Sequence, residues 1–76
     1  MEHPIAKYRR EKNLTQDAFG QLVGATKGMV SKWEAGRILP RPQFIEQIED
    51  ATRNAISASD LIRVFNQHNR SLEVVQ

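Results

Sequence analysis

The sequence predicts an all-α fold, five short helices packed into one bundle. Three observations carry this. Apolar residues recur at the i, i+3, i+4 spacing of a helix face in one segment after another. Helix-stop residues (Asn13, Gly24, Gly36, Asn54) are each followed within a few positions by a helix-start residue (Thr15, Thr26, Pro42, Ser57). Strand-like alternation is confined to the C-terminal segment Ser71–Gln76, where Val74 and Val75 leave room for a short strand.

Each element follows from local chemistry. Residues 3–13 read as the first helix. Pro4 suits the first helical position, where its missing N–H does no harm. Ile5, Tyr8 and Arg9 share a face, and Asn13 tolerates the left-handed conformation that ends a helix. Thr15 is placed to cap a second helix, with Asp17 at its positive end and Phe19, Leu22 and Val23 as its apolar face. Gly24 stops it. Thr26 then caps a third helix, Thr26–Ala35, whose inward stripe is Met29, Val30 and Trp33 and which ends at Gly36. After a loop from Arg37 to Arg41, Pro42 opens a fourth helix with Phe44, Ile45, Ile48 and Ala51 inward. Asn54 and Ala55 break the chain again. Ser57 and Asp60 form a capping box for a fifth helix carrying Leu61, Ile62 and Phe65. The domain is expected over residues 1–70, with 71–76 as a tail able to serve as a short dimerisation strand.

Composition narrows the class. At 76 residues the chain is one domain's worth, and its apolar content of 39% is too high for a disordered segment. It has no cysteine, so disulfides and thiolate metal sites are excluded. No apolar run approaches the roughly 20 residues that cross a bilayer, and the N-terminus lacks a signal-peptide core, so a cytoplasmic location is expected. The net charge of +2 says little, but its distribution says more. Lys7, Arg9, Arg10 and Lys12 crowd one segment, Lys27, Lys32, Arg37 and Arg41 recur in the middle, and Glu46, Glu49 and Asp50 lie together elsewhere. A basic face is expected.

The connection between the second and third helices is only about three residues, so the two must cross sharply, as in a helix-turn-helix. The run Leu14–Gly36 (LTQDAFGQLVGATKGMVSKWEAG) resembles the helix-turn-helix of the Cro/phage-repressor family: L-T-Q, periodic apolars, a turn glycine, a small cap, then S-K-W-E-x-G. The resemblance reaches back to Ile5 and Arg9 and forward to Phe44 and Leu61. It implies a lambda-repressor-like DNA-binding domain. It also implies that Gln16 bonds a DNA phosphate, that Arg37 and Arg41 touch phosphates, and that Arg9 and Glu34 form a partly buried ion pair. Two positions depart from the family. Gly20 stands where alanine is usual, which close helix crossing would explain, and Gly28 stands where a base-reading side chain is common.

The residues support the same reading by themselves. If Val30 and Trp33 are buried, the outer side of the third helix holds Lys27, Gly28, Ser31 and Lys32, short or cationic groups able to reach base edges. The N-terminal turn at Thr26 offers N–H groups and a positive dipole to phosphate. Other features read as structural. Trp33 is core, Arg10 and Glu11 are solvated, and Lys12 is divided between solvent and phosphate. His3 and His68 lack companions at ligand spacing, so no metal is expected, nor any cofactor or small-molecule ligand. Glu46, Glu49 and Asp50 form an acidic surface patch, and no catalytic constellation or phosphate loop is present.

The expected function is therefore sequence-specific regulation of transcription on double-stranded operator DNA. The chain stops soon after the helical domain, which points to a Cro-like phage or prophage repressor in a bacterial cell. Single modules bury little surface, so a homodimer on a near-palindromic operator is expected, with half-sites about 34 Å apart. The interface would use the fifth helix (Leu61, Val64, Phe65) or paired tails at Leu72–Val75. The alternatives are the antitoxin of a toxin–antitoxin pair and a helical protein-interaction adaptor. An enzyme is the least favoured class.

Overall fold

A computed structural model describes residues 2–73, with side chains through residue 69. The chain forms α1 (Pro4–Lys12), α2 (Gln16–Val23), α3 (Lys27–Glu34), α4 (Pro42–Ala51) and α5 (Ala58–Glu73), with no strand among the described residues. The all-α, five-helix architecture matches the sequence expectation.

The helix ends are set by short-range hydrogen bonds. The hydroxyls of Thr15 and Thr26 accept from the Ala18 and Met29 amides at 3.0 and 3.2 Å, capping α2 and α3. His3 Nδ1 does the same for α1, accepting from the Ile5 amide at 3.1 Å. Asn13 ends α1 at φ 57°, while Gly24 and Gly36, both at φ 75°, follow α2 and α3 in the left-handed region. Ser57 and Asp60 bond each other's amides reciprocally, and Glu49 of α4 adds its carboxylate, which accepts from the Ala58 amide at 2.8 Å. Glu49 therefore caps α5 and is more than part of a surface patch.

Ile5, Phe19, Val23, Val30, Trp33, Ile48, Ile56 and Leu61 form one buried core shared by all five helices and the α4–α5 connection. Tyr8 meets Phe19 edge-on and Trp33 lies against Phe44, with ring centroids 6.1 and 5.4 Å apart. Among the described residues, Thr52 is the buried polar one. Its hydroxyl donates to the Ile48 carbonyl and accepts from the Ile56 amide, so it bridges the turn after α4.

Several sequence expectations change. Leu22 is 50% exposed and Ile62 42% exposed, so neither is core. Ala51 is also exposed, while Ile56, in the α4–α5 connection, is buried in the core. Periodicity overestimates the inward stripe because a helix touches its neighbours along a narrower arc than its apolar residues cover. Helix α5 runs on through Glu73, so residues 71–73 continue the helix, and the Val74–Val75 strand lies outside the described residues. No helix among the described residues is long and apolar enough to cross a membrane.

Candidate nucleic-acid interface

The connection between α2 and α3 is Gly24-Ala25-Thr26. The left-handed Gly24 turns the chain, and the Ala25 amide donates back to the Gly20 carbonyl at 2.8 Å. A Cβ at Gly20 would sit 2.5 Å from the Ala25 carbonyl oxygen. The two helices thus approach through the bare backbone of Gly20, more closely than an alanine there would allow.

The orientation of α3 follows from what it buries. Val30 and Trp33 face the core and Met29 is half-buried. At about 100° per residue, positions 27, 28, 31 and 32 fall on the opposite arc. Lys27, Gly28, Ser31 and Lys32 are all exposed there, as are Thr26 before the helix and Arg37 and Arg41 after it. The side chains of Lys27, Ser31, Lys32, Arg37 and Arg41 have no hydrogen-bond or ion-pair partner among the described residues. A Cβ at Gly28 would meet only the Thr26 hydroxyl, at 3.9 Å, so nothing among the described residues requires glycine at that position.

Beside this face, three side chains tie α1, α2 and α3 together. Arg9 Nε and Nη2 donate to the two Glu34 carboxylate oxygens at 2.7 and 3.0 Å, a forked pair. Arg9 Nη1 donates to the Leu14 carbonyl at 3.0 Å, and the Gln16 carboxamide donates to Glu34 Oε1 at 3.2 Å. The Arg9 guanidinium is held above its ordinary range, chiefly by its bond to Glu34, and burial opposes this. The Gln16–Glu34 bond has no sequence signal, because the two residues lie 18 apart and meet only through the crossing of α2 and α3. Of the other basic residues, Arg10 pairs with Glu2 at 2.8 Å rather than standing free, and Lys12 lies 5.9 Å from the Tyr8 ring centroid.

His3 adds a pH dependence. Burial holds its imidazole below the ordinary value of 6.5, with the Glu34 carboxylate opposing the shift. Its Nδ1 must also be unprotonated to accept from the Ile5 amide. The unfolded chain therefore binds the proton more tightly. The stability tied to neutral His3 is complete above the unfolded pKa and is lost as pH falls through that value toward the lower folded one. Urea unfolding between about pH 7.5 and pH 5.5 should show falling stability. His3→Asn, which keeps a capping acceptor, should flatten that fall. Parallel curves for both proteins would refute the assignment.

A short-turned helix pair with one outward, cation-bearing helix defines the molecule as a helix-turn-helix module. A helix-turn-helix family model matches residues 5–57, and the chain belongs to that Cro/phage-repressor (XRE-like) family. The family is one of DNA-binding transcriptional regulators and not an enzyme family, and double-stranded DNA is the partner it implies. No curated protein and no solved structure gives a significant match. Among the described residues, no group of three or more His, Cys, Asp or Glu is placed to hold a metal ion.

Proposed function

We propose that this protein is a Cro-like repressor that binds a near-palindromic operator as a homodimer, with α3 in the major groove. The observation that carries this reading is the outer face of α3: exposed Lys27, Ser31 and Lys32 without partners among the described residues, with exposed Arg37 and Arg41 following the helix. Lys27, Ser31 and Lys32 face base edges, where lysine donates to guanine O6 and N7 and serine pairs with several bases. Gly28, which has no side chain, either lets a backbone approach closely or reads little. Gln16, Thr26, Arg37 and Arg41 meet phosphates. The Thr26 hydroxyl accepts within the cap, so its proton remains to donate outward.

Dimerisation uses the outward side of α5. Leu61 is 1% exposed and belongs to the monomer core, which removes it from the interface surface. Exposed Ile62, with half-buried Val64 and Phe65, remains. Occupancy of the operator would exclude polymerase.

The test begins with selection of bound duplexes from a random pool. Replacing Lys27, Ser31 and Lys32 together by alanine should lower affinity for the selected duplex by several kcal/mol, since each good base contact contributes about 1–3. Arg41→Ala should weaken binding to all sequences alike and flatten the salt slope by about one. Unchanged affinity in the triple variant would remove α3 from the groove. Sedimentation with and without the duplex reads the dimer.

A further inference from the structure

We propose that Glu34 is a positioning residue for DNA binding, acting through Gln16. A carboxylate can only accept hydrogen bonds, so Glu34 can engage only the NH₂ end of the Gln16 carboxamide. That contact settles which way the amide is turned. One amide hydrogen goes to Glu34 and the second is left to donate. Without Glu34 the amide can rotate and present its carbonyl oxygen, an acceptor, to a phosphate that also only accepts.

Arg9 makes this arrangement tolerable beside DNA. An isolated carboxylate near the phosphate path would repel it. The forked Arg9 pair cancels the charge while leaving Glu34 Oε1 shared between the Arg9 guanidinium and Gln16. The helix ends explain why Glu34 needs a cation, because it is the last residue of α3, where the helix dipole disfavours negative charge. The partly buried Arg9–Glu34 pair, which joins α1 to α3, is thereby connected to one side chain of the DNA face. The inference rests on the reading that Gln16 meets a phosphate, and the experiment separates the two.

The experiment is a double-mutant cycle on DNA affinity, using a fluorescein-labelled duplex selected from a random pool with this protein. In the wild-type background, Gln16→Ala should weaken binding about tenfold, the size expected for a hydrogen bond to a charged group. In a Glu34→Met background the same change should cost less than about twofold. Circular dichroism checks that each variant is folded. Should Glu34→Met alone fail to fold, the Arg9→Met/Glu34→Met pair, which removes both charges together, supplies the background. A merely structural role for Glu34 would lower affinity with and without the Gln16 side chain alike, and an equal cost of Gln16→Ala in both backgrounds overturns the inference. If Gln16→Ala has no effect in the wild type, or no duplex is recovered by the selection, the phosphate reading itself fails and the inference falls with it.

Discussion

Trp33→Ala is expected to destabilise the domain by about 3–5 kcal/mol, the range for removing a large buried ring. Trp33 is 1% exposed, lies against Phe44 with ring centroids 5.4 Å apart, and anchors the inner side of α3. A chain of 76 residues has a total stability of only about 4–11 kcal/mol. This one change therefore removes about a quarter or more of it and can leave the variant largely unfolded at room temperature. Trp33→Phe keeps a ring against Phe44 and should lose less. Urea unfolding followed by far-UV circular dichroism reads both. A loss below about 1 kcal/mol for the alanine variant would mean that α3 is held by something other than its buried indole.

The second large effect concerns the Arg9–Glu34 pair. Their side chains are 21% and 11% exposed, so the pair is mostly but not wholly withdrawn from water. Breaking a fully buried pair by removing one partner costs about 3–5 kcal/mol, and residual exposure lowers the expectation for Arg9→Met to about 2–3. Most of that is the desolvated Glu34 carboxylate left behind, together with the Leu14 carbonyl that loses its Arg9 donor. The Arg9→Met/Glu34→Met double variant should therefore be more stable than either single variant, since no buried charge is stranded. The comparison is made by urea unfolding of all four proteins. A double variant as unstable as the sum of the singles would show that the two residues contribute independently, which overturns the stranded-charge account.

The two effects fall on different kinds of information. The burial of Trp33 is readable from the spacing of Met29, Val30 and Trp33. The reading weakens for residues at the margin of a stripe: Leu22 and Ile62 have apolar spacing yet lie half open to solvent. Thr52 is the opposite case, a polar residue that is buried because its hydroxyl satisfies two backbone groups around the turn after α4. Its periodicity gave no warning.

The five helices, the threonine caps of α2 and α3, the Ser57–Asp60 box and the outer face of α3 follow from the sequence. Those features depend on interactions within about four residues: a threonine hydroxyl with an amide three positions on, a glycine able to take positive φ, a side chain's angle around its own helix. Apart from the Arg9–Glu34 pair, which the family resemblance implied, the side chains that meet across helices were set by the tertiary structure. It brought Gln16 onto Glu34 over 18 residues, and it set the Glu49 carboxylate on the Ala58 amide. It also placed the Ala25 carbonyl where only a glycine fits at position 20. Such contacts depend on the crossing of whole helices, a property of the assembled core rather than of any local run of residues.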